Sequence, residues 1–247
     1  MLGLKRFAIA SLCLFTSHVH SDPEAAPLGY RGSAFDTERG VPAYTEDHQE
    51  RYLQGKLVLS QTFYKAVDGK PIGERSLDFS RFEYKPGYLF KDVRNGYEEG
   101  SVAEDADLLV HFRDSTKAPL HEKRLKVPEP CVVNGGLGPF LKRHWADLEA
   151  GKRLAFNMVV PARLDYFRFM AYEDAKSTLP EKETGGRISK AVVIEPQSSL
   201  LRMLLPAIIM HYDVKTLRLV RYQGIVNVAD AKGRSLRVKV DYPGLGP

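Results

Sequence analysis

LVLSQTFYKAVDGKPIGERSLDF, residues 57–79, is the stretch on which the reading of the fold turns. It opens with an alternation, Leu57, Leu59 and Phe63 on one side and Val58, Ser60, Thr62 and Tyr64 on the other. A period of two marks an extended strand, because successive side chains point to opposite faces. Asp68-Gly69 then signals a hairpin, since glycine, and aspartate to a lesser degree, tolerates a positive φ; the chain returns through residues 72–79.

Working outward, the same device recurs. Asn95-Gly96 joins residues 88–93 to 97–102, and Leu108, Val110 and Phe112 alternate again before a turn at Asp114-Ser115. Residues 120–127 return as a strongly charged strand of the kind that suits a sheet edge. Residues 153–160, 164–172, 188–194, 217–228 and 236–242 read as further strands, the last with Arg237, Lys239 and Asp241 on a wet face. One segment breaks the pattern. Pro139 suits a first helical position, Phe140, Leu141, His144, Trp145 and Leu148 recur at helical spacing, and Gly151 is a natural stop. These residues predict one amphipathic helix over 139–150 with its Trp145 face on the sheet. The fold class expected is mainly β: a curled antiparallel sheet or open barrel packed on that helix. Residues 43–247 form a single β-rich domain in this reading, preceded by an irregular arm over 22–42 that carries Pro23, Pro27, Gly29, Gly32, Gly40 and Pro42.

At the N-terminus, Lys5 and Arg6 precede an apolar segment over residues 7–15, and Val19 and Ser21 follow with the spacing of a cleavage site. That is the layout of a secretory signal peptide over residues 1–21, too short in its apolar part to remain as a membrane span. Its removal lowers the formal charge of +5 by two. The remaining bases are interspersed with acids, which excludes the clustered footprint of a nucleic-acid binder. Cys13 leaves with the leader and Cys131 stays, so no internal disulfide is possible and stability rests on an ordinary core. The expected location is the periplasm, with no transmembrane span after cleavage.

Catalytic motifs are sparse. Ser198 and Ser199 lack the flanking glycines of a nucleophile elbow, and no helix carries the paired histidines of a zinc protease. Asn134-Gly135-Gly136-Leu137-Gly138 lacks the remaining residues of a dinucleotide or phosphate loop and reads as a strand-to-helix connection. Cys131, His111 and His121 are the residue types of a thiol or metal site, but their spacing does not bring them together. His48, in Glu46-Asp47-His48, has neighbours that could orient an imidazole for acid–base work, against a plain reading as a solvated polar strand. No catalytic, metal or cofactor site is predicted.

The anomaly is LLRMLLPAIIMHY, residues 200–212. Pro206 removes a backbone donor and divides it into a turn or two of helix and a strand that begins beyond the proline. Leu200, Leu201, Met203, Leu204 and Leu205 have no alternation, so they either plug the end of the sheet or stand out as a binding lip. Arg202, Arg218, Arg221, Arg234 and Arg237 lie nearby in sequence; converging, they would give an apolar lip a cationic border. The predicted ligand-binding set is Leu200, Leu201, Leu204, Leu205, Trp145, Phe167 and Arg202. Its occupant would be a lipid-like ligand or an apolar partner segment, held by a non-enzymatic periplasmic protein. An envelope interaction or scaffold protein is the alternative, and a hydrolase or thiol enzyme using Cys131, His111 or His48 is the third.

The leader, Tyr44-x-Glu46-x-His48, the Asp68-Gly69 hairpin, the helix around Trp145, Val160-Pro161-x-Arg163-Leu164-Asp165 and residues 200–222 together resemble a group of uncharacterised exported proteins of proteobacteria, a domain of unknown function. The resemblance covers most of the mature chain and implies no site residues. In architecture the expected curled sheet with a helix is similar, remotely, to the half-barrel of bacterial lipoprotein carriers, whose apolar concave face holds acyl chains.

Overall fold

The computed structural model describes residues 28–230 and 232–243, so the expected leader lies outside the described residues. The chain first forms a meander of eight strands: β1 (Leu28–Asp36), β2 (Val41–Leu53), β3 (Lys56–Ala66), β4 (Pro71–Asp78), β5 (Gly87–Asp92), β6 (Glu98–Glu104), β7 (Asp107–Arg113) and β8 (His121–Leu125). A short strand β9 (Cys131–Val132) leads into α1 (Leu137–Arg143) and α2 (Trp145–Glu149). Then come β10 (Leu154–Val160), a 3-10 turn (Pro161–Arg163), β11 (Asp165–Asp174), α3 (Glu181–Thr184), β12 (Ser189–Pro196), α4 (Ser199–Leu204), β13 (Ile208–Asp213), β14 (Leu219–Ala229) and β15 (Ser235–Asp241).

All fifteen strands belong to one sheet, ordered β8-β7-β6-β5-β4-β3-β2-β1-β15-β14-β13-β12-β11-β10-β9. Every pairing is antiparallel except β9 with β10. The expected fold class, a mainly β curled sheet, is the one observed. The hairpin glycines carry the turns: Gly69 has φ +83° and Gly96 φ +78°. Asp68 and Asn95 stay at negative φ and instead accept from the backbone N–H of Lys70 and Tyr97.

Curling is imposed by a short tether. β8 and β9 are the two edges of the sheet yet are joined by residues 126–130 alone, a link that reaches at most about 21 Å. Laid flat, that many strands at about 4.8 Å spacing would be roughly 65 Å wide. The sheet therefore rolls until its edges face one another, and the 3-10 turn between β10 and β11 comes to lie against β6 and β7.

Two expectations change. Part of the segment read as an irregular arm is β1, a central strand paired on both sides. Its glycines are the reason it was not recognisable, and Gly32 is there because a Cβ would meet the Tyr242 ring at 2.6 Å. The single helix over 139–150 is two helices meeting at His144, whose φ −103° and ψ 22° leave the helical region. The break lets Trp145 and Leu148 be buried together with Phe140 and Leu141 against Phe156, Ile194 and Tyr212. This helical plug covers one half of the sheet's inner face. The other half is filled by strand side chains, Tyr44, Tyr64, Tyr88, Phe90, Val110 and Val240 among them, and Tyr222 adjoins both halves.

Candidate functional site

Two features stand out, one on the surface and one inside. The surface feature is α4, the loop-borne helix between β12 and β13. Ser198 caps it, its hydroxyl oxygen accepting from the Leu201 N–H at 3.4 Å. Pro206 ends it, and β13 begins two residues later, as the division of the apolar run predicts. None of its side chains is buried: Leu200 is 66% exposed, Met203 83%, Leu204 70% and the following Leu205 40%, with Leu201 half-buried beneath them. Solvation of so many apolar side chains on one short turn is costly without an occupant. The residues therefore do not plug the end of the sheet but project from it.

The other predicted ligand-binding residues do not gather there. Arg202 is on the lip but donates to Glu195 at 3.0 Å, which neutralises it. Trp145 is buried against Tyr212, at the end of β13 remote from α4, with ring centroids 5.6 Å apart. Phe167 is half-buried on the inner face of β11. Three of the other four arginines of the expected cationic border are paired elsewhere: Arg221 with Glu183 and Asp241, Arg234 with Asp230, and Arg237 with Glu38. Two surface hollows of about 350 and 570 Å³ are lined by residues around Glu129 and Arg168 and around Asp105 and Arg124, apart from the lip.

The interior feature is built by register. On β2 the period of two places Tyr44, Glu46, His48 and Glu50 on one face, which is the inner one. Across the sheet, Tyr30, His48, Thr62, Arg75, Phe90 and Glu99 stand in a single row over β1 to β6. His48 Nε2 lies 2.8 Å from Glu46 Oε2 and its Nδ1 lies 3.1 Å from Thr62 Oγ1. Arg75 Nη2 donates to Thr62 Oγ1 at 3.1 Å, and the hydroxyls of Tyr242 and Tyr44 donate to Glu46 at 2.8 and 3.2 Å.

Burial works against ionising Glu46, but the His48 bond, the His48 and Arg75 charges and the Tyr242 bond outweigh it and hold the carboxyl below its usual range. Glu46 accepts from His48 Nε2–H, and the Thr62 oxygen accepts from Arg75 Nη2–H. The Tyr30 ring stacks on the imidazole at 4.3 Å and 5°. Threonine, histidine and glutamate in this order suggest a hydrolase relay, but Thr62 is completely buried, with no face open to a substrate. His48, expected on a solvated strand, is thus an interior residue, because this part of the interior is polar.

Farther along the row, Glu99 accepts from the hydroxyls of Tyr88 and Tyr97 at 2.5 and 2.7 Å, from the Asn227 amide and from the Ala162 N–H. The donors come from β5, the β5–β6 turn, β14 and the 3-10 turn, so the carboxyl ties the two flanks of the roll together. Burial dominates these bonds and raises the Glu99 carboxyl above its usual range.

The thiol and histidine set does not assemble. Cys131 is buried, and burial together with Glu129 pushes its thiol up to about 12. His111 is half-buried 3.7 Å from Glu98, and His121 is exposed at the start of β8. Among the described residues no three His, Cys, Asp or Glu side chains converge as metal ligands. Sequence reasoning missed Glu46, Thr62, Arg75 and Glu99 as interior residues. A usable signal was present in β2, where aromatic and titratable residues share one face at period two while Asp47 and Gln49 share the other.

No family model matches the chain, and no curated protein matches it. Among solved structures it is similar to the crystal structure of a beta-barrel-like protein of domain of unknown function DUF1849 from Brucella abortus, at 12% identity and a TM-score of 0.43, over 89% of this chain and all of that one.

Proposed function

We propose that this protein is a non-enzymatic interaction module of the bacterial envelope, exported to the periplasm, that docks through the α4 lip onto an apolar segment of an envelope protein. The observation that carries the reading is the joint exposure of Leu200, Met203, Leu204 and Leu205 on one short, capped helix. The lip projects, so it fits a groove on something else and does not itself enclose a ligand. Its only charge is compensated by Glu195, which favours a neutral apolar partner over an anionic head group. Enclosure of a lipid-like ligand by the sheet has less support, since helices and aromatic side chains already occupy the inner face.

The test is site-specific photocrosslinking in cells with the probe at Met203. A discrete crosslinked product that disappears when Leu204→Glu is added supports docking. Crosslinks that ignore Leu204→Glu, or none at all, count against it. Binding of a fluorescent fatty acid by the purified protein that is lost with the same substitution would instead favour the lipid-like ligand.

A further inference from the structure

The interior row contains a cation whose needs are not met. Arg75 forms no ion pair with any described residue, and its one hydrogen bond is to the neutral hydroxyl of Thr62. Its Nε is buried and has no acceptor. A guanidinium offers five N–H donors in a planar fork, and burying even one of them without an acceptor costs free energy. Nearby carboxylates are already engaged: Glu46 takes His48, Tyr44 and Tyr242, and Glu99 takes Tyr88, Tyr97 and Asn227.

A second idle donor sits beside it. Tyr64 is on the same inner face one row along, opposite Gly73, and its ring packs on Phe90, which stands directly across from Arg75. The other phenols of this region, Tyr30, Tyr44, Tyr88, Tyr222 and Tyr242, each donate to a carboxylate or a carbonyl. The Tyr64 hydroxyl has no such acceptor among the described residues. Arg75, Tyr222 and Tyr242 keep part of their surface open, so the region is not packed shut.

We propose that Arg75 and Tyr64 form a binding site for a small monocarboxylate, which would take the guanidinium fork in a bidentate pair and accept a further bond from the Tyr64 hydroxyl. A planar, singly charged group matches the fork. The ionised Glu46 close by disfavours a doubly charged phosphate. The site is separate from the lip, and its failure would leave the docking reading intact.

The experiment uses the full purified chain, dialysed free of organic acids, with acetate, benzoate and dodecanoate as probes. Binding is read from the Arg75 Nε–H resonance and from the rise of the melting temperature with ligand concentration. Saturable shifts are expected, abolished by Arg75→Gln and weakened at least tenfold by Tyr64→Phe. Dodecanoate binding tighter than acetate assigns the site to the carboxylate end of an amphiphile, and equal or weaker binding assigns it to small free acids; either result supports the carboxylate chemistry. No saturable shift with any probe up to about 50 mM, a range that would reveal even weak affinity, overturns the proposal. So does binding that neither substitution alters. Should Arg75→Gln not fold, Tyr64→Phe alone decides, since it removes one oxygen and leaves the ring packing in place.

Discussion

His211 and Cys131 are buried in opposite senses, and each yields a measurable consequence. At His211, burial foremost and then the Arg221 charge push the imidazole down to about 4, from 6.5. Between those two values the unfolded chain takes up a proton that the folded chain refuses. Stability from this group is therefore complete above pH 6.5 and lost as pH falls towards 4, by roughly 3 kcal/mol at most. His211→Gln should flatten the loss of melting temperature between pH 7 and pH 4.5, and parallel decline of the two proteins would refute the assignment. At Cys131 the thiol stays protonated at neutral pH, so iodoacetamide should label it in urea and leave it untouched in the native protein. The burial of His48 was hidden for a related reason. Polar residues at a strand's period of two are read as its wet face, yet here Ser60, Thr62 and Tyr64 are the buried side of β3 while Leu57, Leu59 and Phe63 are half-exposed. Alternation reveals that a strand exists, whereas the side that faces inward depends on partners several strands away.

In α4 the local physics was readable in advance because it is short-range. Pro206 stops the helix, Ser198 caps it, and the strand begins where the proline allows. Whether the helix faces in or out depends on what surrounds it, which no local pattern encodes. The same limit explains the break at His144, set by the need to bury both halves of the segment on a curved sheet. Exposure makes a sharp contrast possible. Leu204→Glu should change unfolding free energy by no more than about 0.5 kcal/mol while abolishing the Met203 crosslink. Leu141→Ala, at a wholly buried position of α1, should cost about 3 kcal/mol in chemical denaturation and leave the lip unaffected. If Leu204→Glu destabilises as much as Leu141→Ala, the lip is part of the core and the docking reading fails.

For the molecule as a whole, the hairpin signals predicted the meanders, but nothing in them announced that β1 pairs with β15 or that Glu99 would bind donors from across the roll. These are contacts between residues far apart in sequence, and they follow from closure, not from propensity. Glu99→Ala leaves Tyr88, Tyr97 and Asn227 without their shared acceptor and should cost about 3 kcal/mol. Faster amide exchange in β6 and in the turn Pro161–Arg163 should accompany it, and exchange confined to β6 would show that the carboxyl does not join the two flanks. The strand order has a further consequence, which concerns time. The first and last of the fifteen strands are neighbours in the middle of the sheet. A chain emerging residue by residue can lay down β1 to β8 and then β9 to β14, yet it holds two unfinished borders until residues 235–241 arrive to be wedged between them. Assembly is thus completed at the centre, and every fragment that stops short of β15 exposes the backbone of β1 as a template for a neighbouring copy. Such fragments should self-associate, and a peptide of residues 235–243 supplied separately should return them to single molecules.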